Sequence, residues 1–262
     1  MSTSTMRWSS SDIAAAQAVL DRATADETTA LVTLTDEEVV ILDGLDNAQL
    51  VPTPWLDAQD GDRSLLGRVA LRSLLARGLV VPTGATDTEL GIEATPDITG
   101  PLVLRRTARA LLVAHRTTSL DTSWVYLYLH EDDVVLEEEI GTSGHHTFRV
   151  YPLGSMAERL AAYLDPAQVT GEDGTPTTID ADDFAKRAPT LPGLADAQAV
   201  TVLTAARAGE DHVRTVSVYT GPSAVHLVQG SAEGTDTGPR TVDVAEISAQ
   251  TLRSLPAGML AP

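Results

Sequence analysis

Residues 108–138, ARALLVAHRTTSLDTSWVYLYLHEDDVVLEE, lie without a gap on residues 199–229, AVTVLTAARAGEDHVRTVSVYTGPSAVHLVQ. ALLVAHR at 110–116 faces TVLTAAR at 201–207, VYLYL at 125–129 faces VSVYT at 216–220, and VVL at 134–136 faces VHL at 225–227. Ala114, Arg116, Val125, Tyr128, Val134 and Leu136 meet identical residues in Ala205, Arg207, Val216, Tyr219, Val225 and Leu227. After a loop of unequal length, HTFRVYPL at 146–153 is answered by RTVDVAEI at 240–247. Helix-like segments then follow, SMAERLAAYL at 155–164 and SAQTLRSL at 248–255. Similarity at a fixed offset marks an internal repeat. Each copy reads as four strands and a helix, and the short turns EDD, GPS, TSGHH and GTDTG suit an antiparallel meander. The expected fold is α+β: two similar antiparallel β-meander-plus-helix units related by pseudo-two-fold symmetry, each sheet burying one face under a helix.

Working outward, residues 1–100 are expected to form a mainly helical N-terminal region ordered helix, strand, helix, helix. Ser10 or Ser11 caps a helix from Asp12 to Ala23, and Thr29–Leu34 reads as a strand. Thr35 with Glu38 three residues on is a capping box for a helix that Gly44 ends. After the Pro-bearing VPTPWL at 51–56, Ser64–Arg77 is amphipathic, with Gly78 placed to stop it. The first meander unit is assigned to 101–165 and the second to 199–262, integrated with the N-terminal region in one domain. Between them 166–198, with GEDGTPTT and APTLPG around a short acidic helix near Ile179–Lys186, is a mobile crossover or a contact loop.

The chain has 262 residues, 43% hydrophobic and 21% charged, as a folded soluble protein has. Its 37 acids against 18 bases give a net charge of -19, which disfavours nucleic acid as a partner. With no cysteine, thiolate metal sites, disulfides and cysteine nucleophiles are excluded. Met1–Ser11 lacks the apolar core of a signal peptide, and no apolar stretch approaches the roughly 20 residues that span a bilayer. A cytoplasmic protein with no membrane insertion is expected. The single lysine, Lys186, follows no Gly-rich turn, and GxGxxG, GxSxG and HExxH are all absent. No enzymatic activity, no cofactor and no metal are therefore expected.

The residues with chemistry to offer are few. His145 and His146 are adjacent, so on a strand they point to opposite faces and cannot chelate one ion together; they read as solvated turn histidines. Asp180, Asp182 and Asp183 read as an acidic helix start. Arg116 and Arg207 share a place in the two units, so a common structural role such as pairing with an acid near each strand end is expected of them. Glu131, Asp132, Asp133, Glu137, Glu138 and Glu139 make one hairpin strongly acidic, either a docking site or a charged edge. Trp124, Tyr126 and Tyr128 line one face of its first strand, and Tyr219 and His226 occupy the counterpart hairpin. These eleven residues are the candidate partner-binding set. A second reading concerns 35–95, where two helices followed by LVVP and ELGIEA resemble a winged helix whose second helix carries Arg63, Arg68, Arg72 and Arg77.

A strand running into VTLTDEEVVIL at 32–42, a Pro-bearing connection, LRSLLARGLV at 71–80 and then a sheet of two similar units together resemble the EspG family of type VII (ESX) secretion chaperones, over roughly 25–255. The resemblance implies a cytosolic, non-enzymatic chaperone that binds a helical-hairpin secretion substrate of the PE/PPE type and keeps it soluble until export. No contact residue of that family maps onto a motif here. The alternatives are an acidic sequestering or immunity protein and a winged-helix transcriptional regulator.

Overall fold

The computed structural model describes residues 8–23, 28–44, 49–85, 90–230 and 241–261; the turn expected at GTDTG, 234–238, lies outside them. The helices are α1 (Ser10–Leu20), α2 (Asp36–Asp43), α3 (Pro54–Asp57), α4 (Arg63–Ala76), α5 (Pro96–Thr107), α6 (Met156–Leu164), α7 (Ala181–Arg187) and α8 (Ala249–Leu260). The strands are β1 (Thr29–Thr35), β2 (Val80–Ala85), β3 (Leu90–Ala94), β4 (Ala110–Thr118), β5 (Thr122–Leu129) and β6 (Val134–Gly141). After them come β7 (His145–Pro152), β8 (Thr177–Asp180), β9 (Ala199–Arg207), β10 (Val213–Thr220), β11 (Val225–Gly230) and β12 (Thr241–Glu246). Ten strands form one antiparallel sheet in the order β1-β7-β6-β5-β4-β9-β10-β11-β12-β8, and β2 and β3 pair separately. This is the α+β class.

Two compact units emerge: Met1–Ala108 with Tyr128–Pro152, and Arg109–Leu127 with Leu153–Pro262. They cut through the expected 101–165 segment, because β4 pairs along its whole length with β9, from Ala110↔Arg207 to Thr118↔Ala199. β6 and β7 go with the N-terminal elements instead.

In the first unit, local sequence decides the helix starts. The Ser9 and Thr35 side chains accept from the Asp12 and Glu38 amides, and the Asp12 and Glu38 carboxylates accept from the Ser9 and Thr35 amides. Each such cap contributes about 1 kcal/mol. Gly44 stops α2 at a φ of 96°, and Gly78 follows α4 at 67°. The edge strand β1 does not offer all its carbonyls to a stranger: Arg77 Nη2 donates to Thr33 O at 2.8 Å.

α5 was not anticipated. Gly100 and Pro101, residue types that disfavour a helix interior, are both buried inside this helix. The glycine is there for packing, since α5 lies against α1 so closely that a Cβ at Gly100 would come within 2.6 Å of Ala15 O and 2.5 Å of Val19 Cγ2. One of those atoms is backbone, so repacking side chains cannot relieve the clash.

In the second unit, α6 packs on α8, and α8 on β4 and β9. The crossover is a contact segment. It supplies the edge strand β8 and, through Phe184, Leu191 and Leu194, an apolar cluster with Ile179, Tyr219, Val228, Val242 and Val244. Tyr219 and Val228 follow the same side of the β10–β11 pair, where Tyr219 opposes His226 and Ser217 opposes Val228. Gly193, at a φ of 80°, sits where any Cβ would run into the His226 ring.

Replacing Gly100 by Ala is expected to destabilise the chain by about 2 kcal/mol, as overpacking with a backbone clash does, measured as a lower urea midpoint. Gly61 stands before α4 with a Cβ contact no closer than 3.6 Å, so Gly61→Ala should leave the midpoint nearly unchanged.

Candidate functional site

The acidic hairpin expected to dock a partner is turned largely inward. Glu131, Asp132 and Asp133 are exposed at the β5–β6 turn, where Asp133 adopts a positive φ of 53°. Tyr128, Glu137 and Glu138 are buried, and each is engaged inside the first unit. Tyr151 Oη donates to Glu137 Oε2 at 2.8 Å, and Arg149 Nη1 lies 3.0 Å from Glu137 Oε1 and 2.7 Å from Glu139 Oε2. Glu137 and Glu138, adjacent residues of β6 that point to opposite sides of the strand, are both sealed by neighbouring elements, as is Tyr128 on β5.

At the centre of that unit is a chain of buried charges. His146, expected in a solvated turn, is fully buried on β7, whereas His145 is exposed and its Nδ1 lies 3.0 Å from Ser143 Oγ. The strand alternation does separate the two rings, but only one meets water. His146 Nε2 lies 2.8 Å from Asp36 Oδ1 and Nδ1 lies 2.8 Å from Glu138 Oε1. A neutral imidazole has one N–H, so donating to both carboxylates requires the imidazolium. Burial opposes that charge, but hydrogen bonds and attraction from Asp36 and Glu138 outweigh it and raise the His146 pKa. Tyr128 Oη donates to the other Glu138 oxygen at 2.9 Å, and Arg105 Nε stands 3.0 Å from the same oxygen. Arg105 and Arg106 hold Asp43 at 3.3 and 3.1 Å. Glu138 loses solvation on burial, yet Arg105 and His146 keep its pKa below the ordinary carboxylate value. The Tyr128 hydroxyl is pushed up by burial beside that carboxylate. Every member faces another member, and among the described residues no cluster of His, Asp and Glu is arranged to hold a metal ion. This constellation clamps α2 and α5 to β6 and β7; it is a structural charge network.

The second unit holds a surface of the opposite kind. On β4 the buried residues alternate, Ala110, Leu112 and Ala114, while Leu111 and Val113 are half-exposed and His115 and Thr117 are open to solvent. Opposed pairs share a face: Val113 with Thr204, His115 with Val202, and Thr117 with Val200. The same side continues onto β10, where Val202 opposes Ser217 and Val200 opposes Tyr219. β5 joins it through Trp124, whose ring stacks on His115 with centroids 5.2 Å apart and planes 11° apart. None of Leu111, Val113, His115, Thr117, Trp124, Tyr126, Val200, Val202, Thr204 or Ser217 is an Asp, Glu, Lys or Arg, in a chain of net charge -19. Of the candidate set, Trp124 and Tyr126 therefore lie on this face; Tyr219 and His226 lie toward its edge, partly covered by the crossover.

At the end of the strands the face meets an open cleft of about 800 Å³, lined by residues including Thr117, Leu120, Pro166, Gln198, Val200 and Thr220. Leu120, at the β4–β5 turn beside it, is 95% exposed. The opposite side of the sheet is closed. Arg116 Nη1 donates to Leu164 O, the last residue of α6, at 2.9 Å, and Arg207 Nη1 donates to Leu260 O, the last residue of α8, at 2.9 Å. The two matched arginines share a structural role: both hold helix C-terminal carbonyls, where a cation also meets the negative end of the helix dipole, and Arg207 in addition pairs with the acid expected near its strand end, Glu210, at 3.3 Å. The sheet face was missed as a whole in the sequence: alternation marks which residues share a side, but not which side a helix will cover.

His146 makes stability pH-dependent. Its folded pKa is raised, so its contribution is fully present below about 6.5, the ordinary histidine value, and is lost as pH rises through the folded pKa. His146→Gln should lower stability by about 3 kcal/mol at pH 6, because buried Asp36 loses its cation and buried Glu138 keeps only Arg105. The gap between wild type and variant in urea midpoint should narrow toward alkaline pH.

No protein-family model matches the sequence, and no curated protein sequence does. Among solved structures, the chain is similar to the dehydratase domain from the CurK module of curacin polyketide synthase at 10% identity, covering 66% of this chain and 85% of that one with a TM-score of 0.16. An inactive mutant of the CurK dehydratase matches at 10% identity over the same shares with a TM-score of 0.18.

Proposed function

We propose that the chain is a non-enzymatic, cytosolic binding protein of the secretion-chaperone kind, which covers the apolar stripe of a helical-hairpin client of the PE/PPE type and keeps it soluble for export. The observation that carries this reading is the charge-free, half-open sheet face around Trp124, Val113 and Val202. A large uncharged surface on a soluble acidic protein is costly unless something covers it, and an amphipathic helix offers the matching apolar stripe. The acidic remainder repels other anionic surfaces and leaves this face as the place where contact is favourable.

The reading includes an ancestral doubling, with two β-meander-plus-helix units about a pseudo-two-fold axis. It is supported by the strand order outward from β4 and β9, which is β5, β6, β7 on one side and β10, β11, β12 on the other. The matching bonds of Arg116 and Arg207 to the last carbonyls of α6 and α8 support it independently. Doubling explains why the face is broad and continuous across strands that are far apart in sequence.

Co-expression with helical-hairpin proteins encoded nearby should yield a stoichiometric complex on size exclusion. Val113→Asp and Val202→Asp, at half-exposed positions, should each weaken it by about 100-fold, since each buries an unpaired carboxylate costing roughly 3 kcal/mol, with circular dichroism unchanged. Recovery of the chain alone with every such client, or a complex indifferent to both substitutions, would overturn the proposal.

A further inference from the structure

The strand faces are not the molecule's only uncommitted surface. α4 is anchored on one side by the buried Gly67, Ala70 and Leu74. Its other side presents Leu65, Arg68, Val69 and Arg72, spaced three, one and three residues apart and all exposed. Leu65 is 51% and Val69 56% exposed, high for aliphatic side chains in the middle of a helix. The run from Arg63 to Arg77 contains four arginines and no acid, in a chain where acids outnumber bases 37 to 18.

The four arginines are not equivalent. Arg63 pairs with Asp57 at 3.1 Å and Arg77 with the buried carboxylate of Glu38 at 2.7 Å, so both are spent inside the fold. Arg68 donates only to the Ser64 hydroxyl, at 2.9 Å, and Arg72 has no ion-pair partner among the described residues. Two guanidiniums one helical turn apart, matched by no carboxylate among the described residues, bracket Val69 and stand beside Leu65.

We propose that this stripe of α4 is an interaction surface for an acidic amphipathic helix of a partner protein, whose carboxylates one turn apart pair with Arg68 and Arg72 while its apolar residues cover Leu65 and Val69. The spacing sets the length: Leu65 to Arg72 spans about 10 Å along the helix, two turns of a partner laid beside it. The chemistry selects the class of partner. A duplex needs several phosphate contacts to offset the repulsion of a strongly acidic protein, and two arginines flanked by exposed aliphatics do not supply them. An anionic lipid surface is bound by a helix with a wide apolar face, whereas here the wide face of α4 is buried in the fold. An acidic helix satisfies both halves of the stripe, charge to charge and aliphatic to aliphatic. The inference rests on α4 alone and does not depend on the reading given to the sheet face.

The test uses the full chain and fluorescence anisotropy of a labelled helical peptide bearing leucines at i, i+3, i+4 and i+7 flanked by glutamates. The comparison probes are the same peptide flanked by lysines, a labelled DNA duplex, and phosphatidylserine–phosphatidylcholine vesicles. The glutamate peptide should bind about tenfold or more tightly than the lysine peptide, and the preference should reverse in Arg68→Glu/Arg72→Glu. Leu65→Ser/Val69→Ser should weaken the glutamate peptide by about tenfold, with circular dichroism and urea midpoint unchanged because both side chains are already solvated. Equal affinity for the two peptides, no reversal in the charge-swapped chain, binding of duplex or vesicles in place of the peptide, or no binding of any probe would each overturn the proposal.

Discussion

The pairing of β4 with β9 is the constraint on which the second unit is built. It runs antiparallel through nine residue pairs, from Ala110↔Arg207 to Thr118↔Ala199. Because side chains alternate, this register puts Leu112, Ala114, Leu203 and Ala205 on the closed side together with both matched arginines. Val113, His115, Val202 and Thr204 fall on the open side. A slip of one residue would drive His115 under a helix and lift Leu112 into water, so the burial pattern itself holds the register. The arginines follow from the same geometry. Arg116 opposes Thr201 and Arg207 opposes Ala110, so the two guanidiniums stand at opposite ends of the strand pair, each beside the helix whose last carbonyl it holds.

What the sequence discloses and what it hides divide along the same physical line. The strands of both matched stretches are legible because period-two alternation is written in consecutive residues, and the helix starts at Thr35 and Asp180 because caps are local. α5 is illegible because Gly100 looks like a break until α1 is laid against it, and α1 lies some eighty residues away in sequence, at Ala15 and Val19. His146 is misread for the same reason: its partner Asp36 is 110 residues distant, and no local pattern announces a carboxylate waiting in the core. The candidate hairpin fails in part because GluGluGlu at 137–139 is uniform in composition and divided in space. The Glu137 and Glu138 side chains are buried on opposite sides of the strand, and Glu139 reaches Arg149.

Composition therefore misstates where the charge is. Asp36, Glu38, Glu137, Glu138 and Asp165 are all buried, and each has a donor. Asp165, for instance, accepts from the Val169 and Thr170 amides at 3.0 Å each and so shapes the turn after α6. A carboxylate committed in this way contributes to net charge but offers nothing to a partner. Exposed acids gather at turns and helix starts, as at Glu131–Asp133 and Asp182–Asp183, whereas the sheet face carries no Asp, Glu, Lys or Arg and, among the described residues, Arg68 and Arg72 of α4 have no carboxylate partner.

Long-range and short-range electrostatics then act on different partners. At physiological ionic strength the screening length is about 8 Å, so an approaching macromolecule feels the net negative field only near the surface and feels the local patch once it is close. A polyanion whose charge extends over many screening lengths would meet net negative charge along most of its length. On the proposals above, a helix two turns long would cover only the stripe from Leu65 to Arg72 and meet cations there, whereas one with no strong charge of its own would be indifferent to the field and be held by the area it buries on the sheet. On the two proposals above, one acidic surface would carry two compact seats for helices, one selected by charge and the other by its absence.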